Sequence, residues 1–229
     1  MQLIGLAAWG YAAACAIWGV CTGRVSTRTI RGAALTLLVC SMGVTSTLVL
    51  LDGMNWVQTL LPLHLCSACA LLCVAFYARP TQGVFEFLFY VGMPGAALAL
   101  CFPAVAVSRW QEAMDACFFL THALVVFAPV LHIAAGGRPA PAHALRMYGV
   151  LAVYAAGVFG INLALGTNYL FLMAAPAGTP LVPLWQLGRG AYYAALALLA
   201  LGVVLAQKAW ARRLQGRPLR MVAVVIPRR

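Results

Sequence analysis

The sequence predicts an all-α fold: a polytopic membrane helical bundle with about seven transmembrane helices, the N-terminus outside and the C-terminus inside. Three observations predict it. The 229-residue chain is 64% hydrophobic and only 8% charged, whereas soluble domains carry about 25% charged residues. Its apolar runs are long and unbroken, unlike the short alternating strands of an outer-membrane barrel. Its cations gather in alternate loops and in one tail.

The elements follow in order. Span one covers about Leu3 to Val20; with no basic segment ahead of it, it reads as a retained span and not a cleaved leader. A loop with Arg24, Arg28 and Arg31 leads to span two, about Gly32 to Leu51, and an outer turn holds Asp52, Gly53, Asn55 and Trp56. Span three covers about Leu60 to Tyr77 and ends at Arg79-Pro80. Span four, about Val84 to Val107, has Gly92, Pro94 and Gly95 in its middle, and such a triplet predicts a kink. Span five is about Ala116 to Ala135, span six about Met147 to Leu165, and span seven about Leu184 to Leu205. Residues 1–207 form the membrane domain and 208–229 a basic tail.

Orientation follows from the cations. Seven spans put loops one, three and five on the side of the tail, with 13 Lys and Arg against two, Arg109 and Arg189, on the other. The basic side faces the cytoplasm, which makes the chain a multi-pass protein of the inner (plasma) membrane. The net charge of +11 is therefore expected to meet anionic lipid and not nucleic acid; no stacking-aromatic motif accompanies it. The eight cysteines form no paired metal or disulfide pattern. Cys66, Cys69 and Cys73 share one face of a packed span, and no metal or cofactor is expected.

Polar groups in hydrocarbon are costly, about 2.5–3.5 kcal/mol for a central charge on insertion scales. Asp52, His64, His122, Asn162, Asn168 and Arg189 all project to the outer half of the bundle, with Tyr169 beside them. That convergence predicts a wet pocket. Histidine works as a base near neutral pH; a thiolate at Cys66 would need a nearby cation, from His122 or Arg189. Asp52, Asn162, Asn168, Tyr169 and Arg189 are the candidate substrate-binding residues, the two asparagines as oxyanion donors and Arg189 as a phosphate holder. Glu86 lies at the opposite face, and His132 and His143 read as structural. With no lysine in span seven, a retinal Schiff base is excluded.

Three stretches carry a family resemblance: Leu61-Pro62-Leu63-His64-Leu65-Cys66, then Thr121-His122 with Ala128-Pro129, then Gly166-Thr167-Asn168-Tyr169-Leu170-Phe171-Leu172 followed by Pro176. In order and spacing, over roughly Gly53 to Gln207, they resemble the YwaF family of bacterial integral membrane proteins. That family is similar to the eukaryotic transmembrane protein 164 family of phospholipid acyltransferases. The resemblance implies acyl transfer or hydrolysis at a lipid ester, with phospholipid as substrate and two histidines and a cysteine as catalytic residues; the expected roles are His122 as general base, His64 as a second acid/base or orienting group and Cys66 as nucleophile. The relatives' cysteine stands just before the span-three histidine, where this chain has Leu63; Cys66 is its substitute, and the histidines acting directly on water or an acceptor hydroxyl are the non-covalent route. Two other functions fit the same pocket: a small-solute or ion transporter, and a non-catalytic membrane partner protein with a docking tail.

Overall fold

The computed structural model describes residues 2–103, 105–176 and 178–215, and every regular element among them is helical. Helix α1 (Gln2–Cys21) leads to Ser26, whose Oγ accepts from the Thr29 backbone N–H at 3.1 Å and opens α2 (Thr27–Leu51). This is the N-cap bond that satisfies an otherwise orphan helix donor. Next come α3 (Trp56–Leu60), α4 (Leu65–Ala78), α5 (Gln82–Phe87) and, after a π-helical turn at Leu88–Gly92, α6 (Met93–Cys101). Then follow α7 (Gln111–Ala134), α8 (Ala144–Leu165), the short α9 (Val182–Gln186) and α10 (Arg189–Gln215). The basic tail begins inside α10, which runs on through Lys208; residues 216–229 of that tail lie outside the described residues.

Among the described residues, five helices are long and apolar enough to cross a membrane: Thr27–Leu51, Gln82–Cys101, Gln111–Ala134, Pro141–Leu165 and Arg189–Gln215. Leu65–Ala78 is apolar but shorter, and α1 is apolar over the part whose side chains are described, Gly10–Cys21. The difference from the expected seven has a local cause in span three. Pro62 has no N–H, and it pushes the preceding residue out of the helical region: Leu61 sits at φ −62°, ψ 129°. Hydropathy is continuous through this break, but the helix is not. Span seven breaks likewise at Gly188, whose φ of 115° favours glycine.

Helix α7 is central and packs on α1, α2, α4 and α6, while α10 packs on α8. The broken span Gln82–Cys101 joins the two groups, its π turn touching α4, α7, α8 and α10. In lipid, helices gain little from hydrophobic transfer, so packing contacts and buried hydrogen bonds set the association. The core holds Phe76, Phe85, Leu88, Phe89 and Leu131 with Cys69 and Cys73. Gly92 packs closely there: a Cβ at that position would lie 3.1 Å from Cys69 Sγ, so that side chain would have to give by a few tenths of an ångström.

The kink expected at Gly92-Pro94-Gly95 is realised one turn earlier, as the π turn. The Met93 N–H bonds Leu88 O instead of Phe89 O. In that register the donor for Phe89 O would be Pro94, which has none. Gln207 of α10 supplies the missing bond, its Nε2 donating to Phe89 O at 3.0 Å. Gln207→Leu therefore strands a buried carbonyl and is expected to cost about 1–3 kcal/mol. Thermal unfolding in detergent checks this; an unchanged midpoint contradicts it.

Glu86, 2% exposed, lies at the end of α8 where the helix begins. It accepts from Gln82 Nε2 at 2.8 Å, from the Ala140 N–H at 3.2 Å and from His143 Nδ1 at 2.7 Å. These bonds anchor α5 to the turn before α8. The candidate site lies at the other end of α8.

Candidate functional site

The break at Pro62 builds the site. His64 takes the N-cap position of α4 in extended backbone, φ −69°, ψ 141°, so its side chain leaves the helix at its mouth. Unwound backbone at membrane depth must find internal partners, and here the Tyr154 hydroxyl of α8 donates to Leu63 O at 2.9 Å. The His64 ring meets Tyr169 edge-on at 5.1 Å between centroids and Phe171 at 5.6 Å.

Gln58 of α3 fixes the tautomer. Its Oε1 accepts from the Asn168 N–H at 3.0 Å, which turns its Nε2 toward His64 Nε2 at 3.3 Å. An amide N–H can only donate, so Nε2 of the imidazole is the acceptor and carries no proton in this arrangement. A lone pair on a ring nitrogen, held by a displaceable amide, is what a general base requires.

The segment facing His64 is strained. Leu170 and Phe171 have φ of 57° and 55°, left-handed values for two adjacent side-chain-bearing residues. Such conformations cost on the order of 1–3 kcal/mol each and persist only where the surroundings over-determine them. The surroundings do so here. Gly166, at φ 62°, ends α8. Asn162, 1% exposed, accepts at Oδ1 from the Thr167 hydroxyl (2.9 Å) and the Tyr169 N–H (2.8 Å), and donates from Nδ2 to Tyr169 O (2.9 Å). Asn168 Oδ1 accepts from the Met173 and Ala174 N–H groups at 2.8 and 3.1 Å, and its Nδ2 donates to Ala174 O at 3.0 Å. The Tyr192 and Tyr193 hydroxyls donate to Phe171 O at 2.9 Å and Leu172 O at 2.8 Å. The Tyr169 hydroxyl donates to Val57 O, closing the loop onto α3.

The structure thus brings together His64, Asn162, Asn168 and Tyr169. The two asparagines shape the loop, each with an amide N–H committed to a backbone carbonyl. The other sequence candidates stand apart. His122 is buried in α7, with Nδ1 2.7 Å from Phe118 O and its ring 4.1 Å from that of Phe118. Its Nδ1 thus carries the proton, and its buried Nε2 has no hydrogen-bond partner among the described residues. No hydrogen bond or ring contact joins it to His64 among those residues. Cys66 lies two residues beyond His64 in α4, half-buried and likewise not bonded to it.

Asp52, at the C-cap of α2, is held by Arg109 Nε at 2.5 Å and by the Ser108 hydroxyl. The Ser108 bond, joined by Arg109, keeps its carboxyl below the ordinary range against partial desolvation. The Asp52 carboxylate ties the α2 end to the segment before α7 and bonds none of the residues around His64. Arg189 opens α10 and is exposed, its guanidinium 5.9 Å from the Trp185 ring centroid. Its expected place within span seven is lost because Gly188 breaks the span just ahead of it.

Gln58, Tyr154 and Phe171 are site residues that the sequence reading did not single out. Gln58 was visible as a lone amide six residues before His64, and Phe171 lies inside the Gly166–Leu172 stretch. Tyr154 had no signal of its own in an apolar span. No group of three or more His, Cys, Asp or Glu able to hold a metal ion occurs among the described residues.

No curated protein and no solved structure matches the chain. A family match does extend over residues 2–207, and it takes in Gln58, His64, His122, Asn162 and the strained loop alike. The chain is therefore a member of the TMEM164 family.

Proposed function

We propose that the chain transfers or hydrolyses an acyl chain of membrane phospholipids, with His64 as the base. The observation that carries this reading is the His64 imidazole, its Nε2 lone pair held by Gln58, framed by Tyr169 and Phe171 on a strained and heavily braced loop. Family membership and the resemblance to phospholipid acyltransferases support the substrate class; the three stretches quoted above favour the YwaF branch.

In the step envisaged, the hydroxyl of water or of a lysolipid gives its proton to His64 Nε2 as its oxygen attacks the ester carbonyl. The tetrahedral intermediate expels the glycerol oxygen, which takes the proton back from the imidazolium. His122 serves as a second acid–base group, and Cys66 is the nucleophile of a covalent variant of the same exchange. Asn168 and Tyr169 frame the base and Arg189 is set beside a lipid phosphate, while Asp52, paired with Arg109, stays outside the set. The bundle lies in the inner membrane with its site near the outer face and its basic loops in the cytoplasm, as the cation asymmetry favours.

The test is the purified full chain in nanodiscs of phosphatidylcholine with isotope-labelled acyl chains, plus a lysophospholipid acceptor. Label on the acceptor or in free fatty acid is expected. Solute flux without any label transfer would sink the reading in favour of a transporter.

A further inference from the structure

A groove of about 640 Å³ runs along α8, between it, α4 and α5. That volume lies within the ~300–1,000 Å³ of small-ligand sites. Its walls are apolar, among them Leu65 and Leu72 of α4, Val84 and Phe87 of α5, and Met147 of α8. Only its ends are polar. Tyr154 lies at one end, but its hydroxyl is already bonded to Leu63 O, so what remains there is the ring. Arg146 lies at the other, in the first turn of α8, exposed and with no ion pair or side-chain hydrogen bond among the described residues.

The dimensions match one leaflet. Arg146 and Tyr154 are eight residues apart on one helix, about 12 Å at 1.5 Å per residue. Half of a hydrocarbon core of about 30 Å is similar. A cation at the helix end and an apolar trough reaching toward the midplane complement an anionic head group joined to an acyl tail. A guanidinium also binds phosphate through paired N–H bonds. Gly83, on the groove wall, leaves it open: a Cβ there would meet no atom within 4 Å.

We propose that this groove is a phospholipid site: one acyl chain lies along α8 between α4 and α5, and the phosphate pairs with Arg146. The groove borders the mouth of α4 at Pro62, Leu65 and Tyr154, but its phosphate anchor, Arg146, lies at the end of α8 opposite the His64-facing loop, and the assignment does not rest on the acyl-transfer reading.

The test is photolabelling of the full chain in phosphatidylcholine nanodiscs doped with a phosphatidylcholine carrying a diazirine in its tail. Mass spectrometry should place the label on the groove-lining residues, Leu65, Ala68 and Leu72 of α4 and Met147, Val150 and Tyr154 of α8. Ala68→Phe and Gly83→Leu, which fill the groove, should each cut it several-fold. Val153→Phe, at a position 75% exposed on the same helix, should leave it unchanged. Arg146→Gln should cut labelling about tenfold, the loss of one charge-assisted bond. It should not affect labelling by a diacylglycerol diazirine probe, which has no phosphate. His64→Ala should label like the wild type, which separates this site from the catalytic proposal. Label spread evenly over Val153, Leu163 and Leu198, labelling insensitive to both filling variants, or equal loss of both probes in Arg146→Gln would overturn the assignment.

Discussion

In the His64→Ala variant, acyl transfer between phospholipids is expected to fall by about 10²–10⁴-fold, the usual contribution of a positioned general base. The fold should survive, because the ring is half-buried at a helix mouth and its hydrogen bond is a single contact with Gln58. Size-exclusion profile and thermal midpoint should stay near wild type while product formation collapses. Gln58→Leu separates base from positioner. It frees the Nε2 lone pair but also removes the acceptor of the Asn168 N–H, so the rate should fall less than in His64→Ala. Equal rates for wild type and His64→Ala would remove His64 from the chemistry.

Asn162→Leu is the second large effect, and it is structural first. The substitution nearly preserves volume but strands the Thr167 hydroxyl and the Tyr169 N–H in a buried site and leaves the Tyr169 carbonyl with only the Leu172 N–H. Each unsatisfied group costs about 1–3 kcal/mol, and a chain of this size loses roughly 2–4 °C of midpoint per kcal/mol. A drop of several degrees is expected by thermal unfolding in detergent, with transfer activity lost alongside it, since the loop that faces His64 is no longer held. Asn162→Asp keeps the two acceptor bonds and loses only the donor, so it should fall between the two. A midpoint for Asn162→Leu within a degree of wild type would mean that the strained loop is braced elsewhere.

Much of this arrangement could be read from the sequence, and the parts that could not share a cause. Hydropathy reports which segments dissolve in lipid, and it found the apolar segments that recur as helices α1, α2, α4, α7, α8 and α10. It does not report hydrogen bonding. Pro62 and Gly188 interrupt the backbone ladder without interrupting the apolar run, so two expected spans are each split into a short helix and a longer one. The triplet Gly92-Pro94-Gly95 announced a kink, but the choice of a π turn rests on Gln207, more than a hundred residues away. Placing polar residues by depth put His64, Asn162, Asn168 and Tyr169 at one level, and in the fold they lie around one loop. Depth alone has no azimuth, however. Asp52 shares that end of the bundle and turns to Arg109, and His122 turns into its own helix toward Phe118.

Comparative lipidomics of cells producing the wild-type chain or the double variant His64→Ala, His122→Ala addresses the claim on which the functional reading stands. That claim is that the imidazoles act on membrane phospholipid esters. Acyl-chain distributions in phospholipids, or the levels of lysophospholipid and free fatty acid, are expected to change with the wild-type chain and not with an equally abundant double variant. Identical lipid profiles for wild type, double variant and empty cells would contradict it.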